Sequence, residues 1–177
     1  MPYSDTSLDK KVQAFIKAKK YQTYLDIGCG AGKYGQLIRE VIKKPYIEAI
    51  ESERGYVKEF NLHRLYDKVY VCSVVDFFDD KPDYVTNVVT IGDCLEHLKK
   101  SDGLDLINFL IYRCSYIIIV FTIKHIEFSW KGHASEAHRS VWTKDDFSQF
   151  DYQYYRKGMM NMIILKGYLE DDEATRI

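Results

Sequence analysis

Residues Tyr24 to Glu40 read YLDIGCGAGKYGQLIRE, an apolar strand-like run, three glycines at the alternate positions 28, 30 and 32, and then an amphipathic helical pattern. Glycine loses more conformational freedom on folding than any other residue. A cluster of it marks a backbone that needs positive φ, or a bare surface that something else must approach. The turn joins a strand ending at Asp26-Ile27 to a helix beginning near Lys33, and its G-x-G-x-G spacing, followed by Gly35, differs from the G-x-G-x-x-G of dinucleotide sites.

Outward from this turn the same alternation recurs. Strand-like runs fall at Tyr21–Ile27, Tyr46–Glu51, Lys68–Cys72, Val85–Ile91 and Tyr116–Thr122. Helical patterns cover Leu8–Lys20, Lys33–Ile42, Glu53–Tyr66, a short Val74–Phe78 segment and Leu104–Cys114. Parallel strands need crossover connections, so this order predicts an open, mostly parallel α/β sheet with helices on both faces. Toward the end the pattern changes: Tyr152–Lys157 and Met160–Lys166 flank Gly158 with no helix between them, which predicts an antiparallel hairpin at the sheet edge.

The chain of 177 residues is 46% hydrophobic and 29% charged, with no linker-like tract, and is expected to form a single domain over residues 1–177. Its longest apolar run, Tyr116 to Ile123, is far short of the ~20 residues that span a bilayer, so no membrane role is expected. The N-terminal MPYSDTSLDKK lacks the apolar core of a signal peptide, which points to the cytoplasm, or a host cytoplasm if the source is viral. With 25 basic and 26 acidic residues, nucleic acid held by bulk electrostatics is not favoured. Cys29, Cys72, Cys94 and Cys114 show no CxxC spacing and lie in or beside apolar segments; they read as reduced core residues.

Two acids sharpen the reading of the glycine turn. Asp26 lies at the end of the first strand and Glu51 closes the second, one βαβ unit after Gly28. A carboxylate at Glu51 can accept both hydroxyls of a ribose, and Asp26 can meet an ammonium directly or through water. A pyrophosphate would prefer donors and a cation. The combination favours S-adenosylmethionine over NAD, and an NAD-dependent dehydrogenase also fails on the terminal hairpin.

The segments YLDIGCGAGKYG, IEAIESERGYV, CSVVDFF and VTIGDCLEHL resemble successive motifs of class I S-adenosylmethionine-dependent methyltransferases, and the resemblance runs from about Tyr21 to the C-terminus. More narrowly, GKYGQLIRE, GYVKEFNLHRLYDKV, DCLEHL and EAHRSVW resemble small stand-alone methyltransferase-like proteins of bacteria and their phages. The resemblance implies a three-layer, Rossmann-like, seven-stranded sheet whose last two strands form an antiparallel hairpin. It places Asp26, Gly28, Cys29 and Gly30 at the methionine end of the cofactor and Glu51 at its ribose. In many relatives the third strand ends in Gly-Asp, and that aspartate meets the adenine amine; here the pair is Cys72-Ser73. Alignment favours Ser73 for the adenine contact and chemistry favours Asp76.

Methyl transfer to oxygen or nitrogen is an in-line displacement, so the protein mainly orients the acceptor and, where needed, removes a proton. The GDCLEHL segment supplies Asp93, Glu96 and His97, and the loop over residues 122–141 adds His125, His133, Glu136 and His138 as a cover for the acceptor, with Gly132 as a hinge. His138 is the first candidate base and Asp93 a second catalytic and cofactor-side candidate. Structural readings stand beside these: Asp93 and Glu96 as a capping box, His97 bonded to backbone, Trp142 buried with Thr143 capping a helix.

Asp93, Glu96, His97 and His138 also make an O,O,N,N set of the kind that holds a divalent metal, and resemble the Glu-x-x-Glu-His segment and later histidine of metal-dependent small-RNA 2′-O-methyltransferases. D-x-x-E-H occurs in many metal-free proteins of this fold, so a metal ranks below a structural role. The leading expectation is an enzyme methylating an O or N nucleophile, most simply of a small molecule. The alternative is a catalytically silent module that binds a partner protein. The tail DYQYYRKG reads as an edge strand guarded by charge.

Overall fold

The computed structural model describes residues 5–123 and 137–170. In chain order the elements are α1 (Asp9–Lys19), β1 (Thr23–Ile27), α2 (Lys33–Val41), β2 (Tyr46–Ile50), α3 (Arg54–Glu59), β3 (Lys68–Tyr70), α4 (Val74–Asp80), β4 (Thr86–Gly92), α5 (Lys100–Leu110), β5 (Cys114–Thr122), β6 (Tyr152–Lys157) and β7 (Met160–Lys166). Short 3-10 turns occupy Leu62–Arg64, Leu95–His97 and Lys144–Phe147.

Seven strands form one sheet in the order β3-β2-β1-β4-β5-β7-β6, with β1 to β5 parallel and β7 antiparallel to both β5 and β6. The chain starts at β1 in the middle, runs outward to β3 and returns to β4, so strand order reverses between β1 and β4. In an open α/β sheet a ligand crevice forms at that reversal, beyond the carboxyl ends of the strands.

Period-two alternation along the strands feeds two cores. On β5, Ile117, Ile119 and Phe121 pack with α4 and α5, whereas Ile118 and Val120 pack with α1, α2 and α3. The sheet is therefore covered on both faces, which makes three layers, and every residue of β4 is buried. At the outer edge, β6 leaves Gln153, Tyr154, Arg156 and Lys157 exposed, as expected of an edge guarded by charge.

Three helices show how the boundaries depart from the periodicity. The helix expected over Glu53–Tyr66 is split: α3 stops at Glu59, Asn61 takes the left-handed conformation at φ 52°, and the 3-10 turn follows. The break carries Leu62 and Tyr66 beneath the glycine turn, where both are buried. The helix expected over Leu104–Cys114 lies over Lys100–Leu110, because Gly103 in its first turn packs flat against Trp142 while Cys114 already belongs to β5. The segment Val74–Phe78 extends through Asp80.

Candidate functional site

Beyond the carboxyl ends of β1 to β4 lies a cavity of about 670 Å³, within the range of small-molecule sites. Its β1 wall is backbone. Gly28 and Gly30 sit at φ 67° and 51°, and the Gly28 and Cys29 amides both donate to the Ile50 carbonyl at 2.9 and 3.3 Å, which fastens the turn to β2. A Cβ on Gly28 would lie 2.5 Å from Cys94 Sγ, so only glycine lets the turn after β4 pack against the turn after β1.

Glu51 sits at the end of β2, buried on the cavity wall. Its Oε2 accepts from the Gly30 amide and its Oε1 from the Glu53 amide, both at 2.8 Å. Burial raises its pKa above the usual carboxylate value, while these two amides oppose the rise. Each oxygen retains further acceptor capacity.

Asp26 stands behind the turn rather than on the wall. Its Oδ2 accepts from the Tyr66 hydroxyl and its Oδ1 from Thr90 Oγ1 at 2.8 Å, and burial pushes its pKa up to about 6 against those bonds. Its carboxylate braces β1, β4 and the segment after α3. Cys29 is likewise buried off the wall, its thiol pushed well up by burial. Ser73 is on the wall and caps α4 by accepting from the Asp76 amide at 3.1 Å. The Asp76 side chain is exposed and off the wall.

On the β4 side, Asp93 and His97 line the cavity, and the left-handed φ of 48° at Asp93 redirects the chain while its amide donates to the Val120 carbonyl at 2.8 Å. Cys94, not Asp93, occupies the cap position of the following turn, so no capping box forms with Glu96. Glu96 turns inward instead. Its Oε1 accepts weakly from the Thr122 amide at 3.4 Å, its Oε2 has no hydrogen-bond partner among the described residues, and burial, then the nearby Asp93, push its pKa up to about 8.

His97 Nδ1 lies 3.3 Å from the Ala137 carbonyl, and burial lowers the pKa of its ring. His138 is not on the wall; its ring packs edge-on against His97 with centroids 5.1 Å apart. The chain beside it is strapped down: the Arg139 and Ser140 amides donate to the Glu96 carbonyl at 2.7 and 3.1 Å, and Trp142 Nε1 donates to Ser140 Oγ at 2.8 Å. Lys100 Nζ reaches the Val141 carbonyl and Asp146 Oδ2, each at 2.6 Å, and lies 4.0 Å from the centroid of the buried Trp142 ring. Thr143 and Asp146 form the capping box at the next turn.

His125, Gly132, His133 and Glu136 lie outside the described residues. Among the described residues no group of three or more metal-ligating side chains converges. Wall residues that were not anticipated include Tyr56, Val75 and Arg139. Tyr56 and Val75 sit just inside helices whose starts the motifs do mark, and Arg139 adjoins His138 in EAHRSVW, with no spacing to single it out.

No family model matches the chain, and no curated protein sequence does. Solved structures do resemble it. A SAM-dependent methyltransferase from Archaeoglobus fulgidus is 15% identical with a TM-score of 0.64, covering 89% of this chain and 94% of that one. The N-terminal domain of EvdMO1 with S-adenosylhomocysteine bound is 11% identical with a TM-score of 0.63, covering 93% and 83%. The small RNA methyltransferase HEN1 is 14% identical with a TM-score of 0.65, covering 92% of this chain and 25% of that one. The chain has the class I methyltransferase fold.

Proposed function

We propose that this protein binds S-adenosylmethionine and transfers its methyl group to an oxygen or nitrogen nucleophile. The observation that carries the reading is the wall formed by Gly28, Gly30 and Glu51, where bare backbone adjoins a buried, acceptor-only carboxylate fixed by two amides. That donor set fits an aminoacyl nucleoside. The carboxylate accepts from a ribose diol, the glycine turn admits a close-lying chain, and Glu51, Glu53 and Asp93 give the wall an acidic character suited to a cationic sulfonium.

The cofactor would supply an electrophilic methyl group. The protein's part is to hold both reactants in line and to exclude water. Of the two paired histidines, His97 faces the cavity, its Nδ1 against the Ala137 carbonyl, and burial lowers its pKa, which favours the neutral ring. His97 and Asp93 are therefore the groups that would meet an acceptor's proton, and His138 positions His97. Glu51→Ala should weaken S-adenosylhomocysteine binding by about 1–3 kcal/mol, the range for a hydrogen bond to a charged group. Equal affinity would remove Glu51 from the site.

A second reading, methylation of an RNA 2′-hydroxyl, draws on the edge-to-face His97–His138 pair and the likeness to HEN1. Turnover on short RNA with Mn²⁺ but not on small hydroxylated acceptors would select it. Cofactor binding with no turnover on either would select a partner-binding module instead. No helix among the described residues is long and apolar enough to cross a membrane.

A further inference from the structure

Resting on the cofactor reading above, we infer that Ser73 makes the nucleobase end of this cavity indifferent to whether the purine carries a 6-amino or a 6-oxo group. A ligand that gives its ribose to Glu51 and its amino-acid end to the Gly28–Gly30 turn at β1 must direct its base either toward β3 or toward β4. The β4 side carries Asp93, His97 and the strap with Arg139. The β3 side presents Cys72, Val74 and Val75, with Val75 half exposed, and a planar base therefore lies there.

On that side, among the described residues, Ser73 carries the one wall hydroxyl of β3 and α4, beside the Cys72 thiol, while Ser52 and Tyr56 line the wall from the chain after β2. No charged side chain of β3 or α4 lines the wall; Asp76 is exposed and turned away from it, and Glu53 follows Glu51 in chain and acts on the Glu51 carboxylate. The Ser73 oxygen already accepts from the Asp76 amide at 3.1 Å. A serine hydroxyl has one proton to donate and two acceptor sites, so one donor and one acceptor remain. It accepts from a 6-amino group or, by rotating, donates to a 6-oxo group. An acceptor-only carboxylate in its place would take the amine and repel the oxo group.

The test is calorimetry with two probes, S-adenosylhomocysteine and its deaminated analogue S-inosylhomocysteine, on the parent protein and on Ser73→Asp. Aspartate keeps the cap on α4, because its carboxylate also accepts from the Asp76 amide. The parent should bind the two probes within about fivefold, and Ser73→Asp should open a preference for the amino compound of at least roughly tenfold, the difference between a neutral and a charged hydrogen bond. Parent affinity for the amino compound more than about fivefold above that for the oxo compound overturns the inference while leaving the cofactor reading intact. An unchanged ratio in a Ser73→Asp protein that still binds S-adenosylhomocysteine removes Ser73 from the base. If the parent binds neither probe, the cofactor reading fails and this inference fails with it.

Discussion

Replacing Glu96 with glutamine should stabilise the protein, and the gain should grow with pH. Glu96 is only 2% exposed, one of its oxygens has a long 3.4 Å bond to the Thr122 amide, and the other has no partner among the described residues. In the folded chain it holds its proton to about pH 8, against an ordinary value of 4.5. Between those values the folded state binds more protons than the unfolded state, so stability falls as pH rises. The contribution is fully present below about pH 4.5 and lost by about pH 8. At ~1.4 kcal/mol per pH unit, the interval from 4.5 to neutrality costs about 3 kcal/mol as an upper figure. Glutamine removes that cost but brings an amide that also needs a partner, which leaves a net gain of about 1–3 kcal/mol at pH 7 to 8 and little at pH 4.5. Urea unfolding followed by tryptophan fluorescence at pH 5, 6, 7 and 8 measures it. Parallel stability profiles for parent and Glu96→Gln across that range would refute the argument.

Gly92→Ala should destabilise by about 1–3 kcal/mol in urea unfolding, because its Cβ would fall 1.9 Å from the ring of the buried Tyr34 and force both apart. Trp142→Phe keeps an aromatic ring but loses the bond to Ser140 Oγ and weakens the stacking of Lys100; about 1–2 kcal/mol should be lost, with the Arg139–Ser140 strap exchanging its amide hydrogens faster. Asp26→Asn removes a carboxyl whose pKa is raised to about 6. It should flatten the fall in stability between about pH 3.8 and 6, seen in the same unfolding series, while the bonds to Tyr66 and Thr90 weaken.

The sequence carried the sheet well because its signals are local. The burial of β5 on both faces follows from its continuous apolar run and the closing hairpin from Gly158, and β6 and β7 have the boundaries expected from sequence. The long Glu53–Tyr66 helix misled because Val57, Leu62 and Tyr66 are all buried, but in two elements separated by one left-handed asparagine; apolar spacing does not register a break of that kind. At the site, Glu51 and the glycines were legible as residue types at strand ends. Asp26 was legible as an acid at a strand end, but its bonds to Tyr66 and Thr90 were not, because those partners come from 40 and 64 residues away. Which of His97 and His138 faces the cavity depends on how the strap over Arg139 and Ser140 lies across Glu96, a tertiary contact with no trace in spacing.

Titration of S-adenosylhomocysteine into the purified protein by calorimetry, with NAD as control, bears hardest on the reading of the Gly28–Glu51 wall. Saturable binding near micromolar affinity, about −8 kcal/mol, with none for NAD, is the expected result. A folded protein that binds no S-adenosylhomocysteine, or binds NAD equally well, would contradict it.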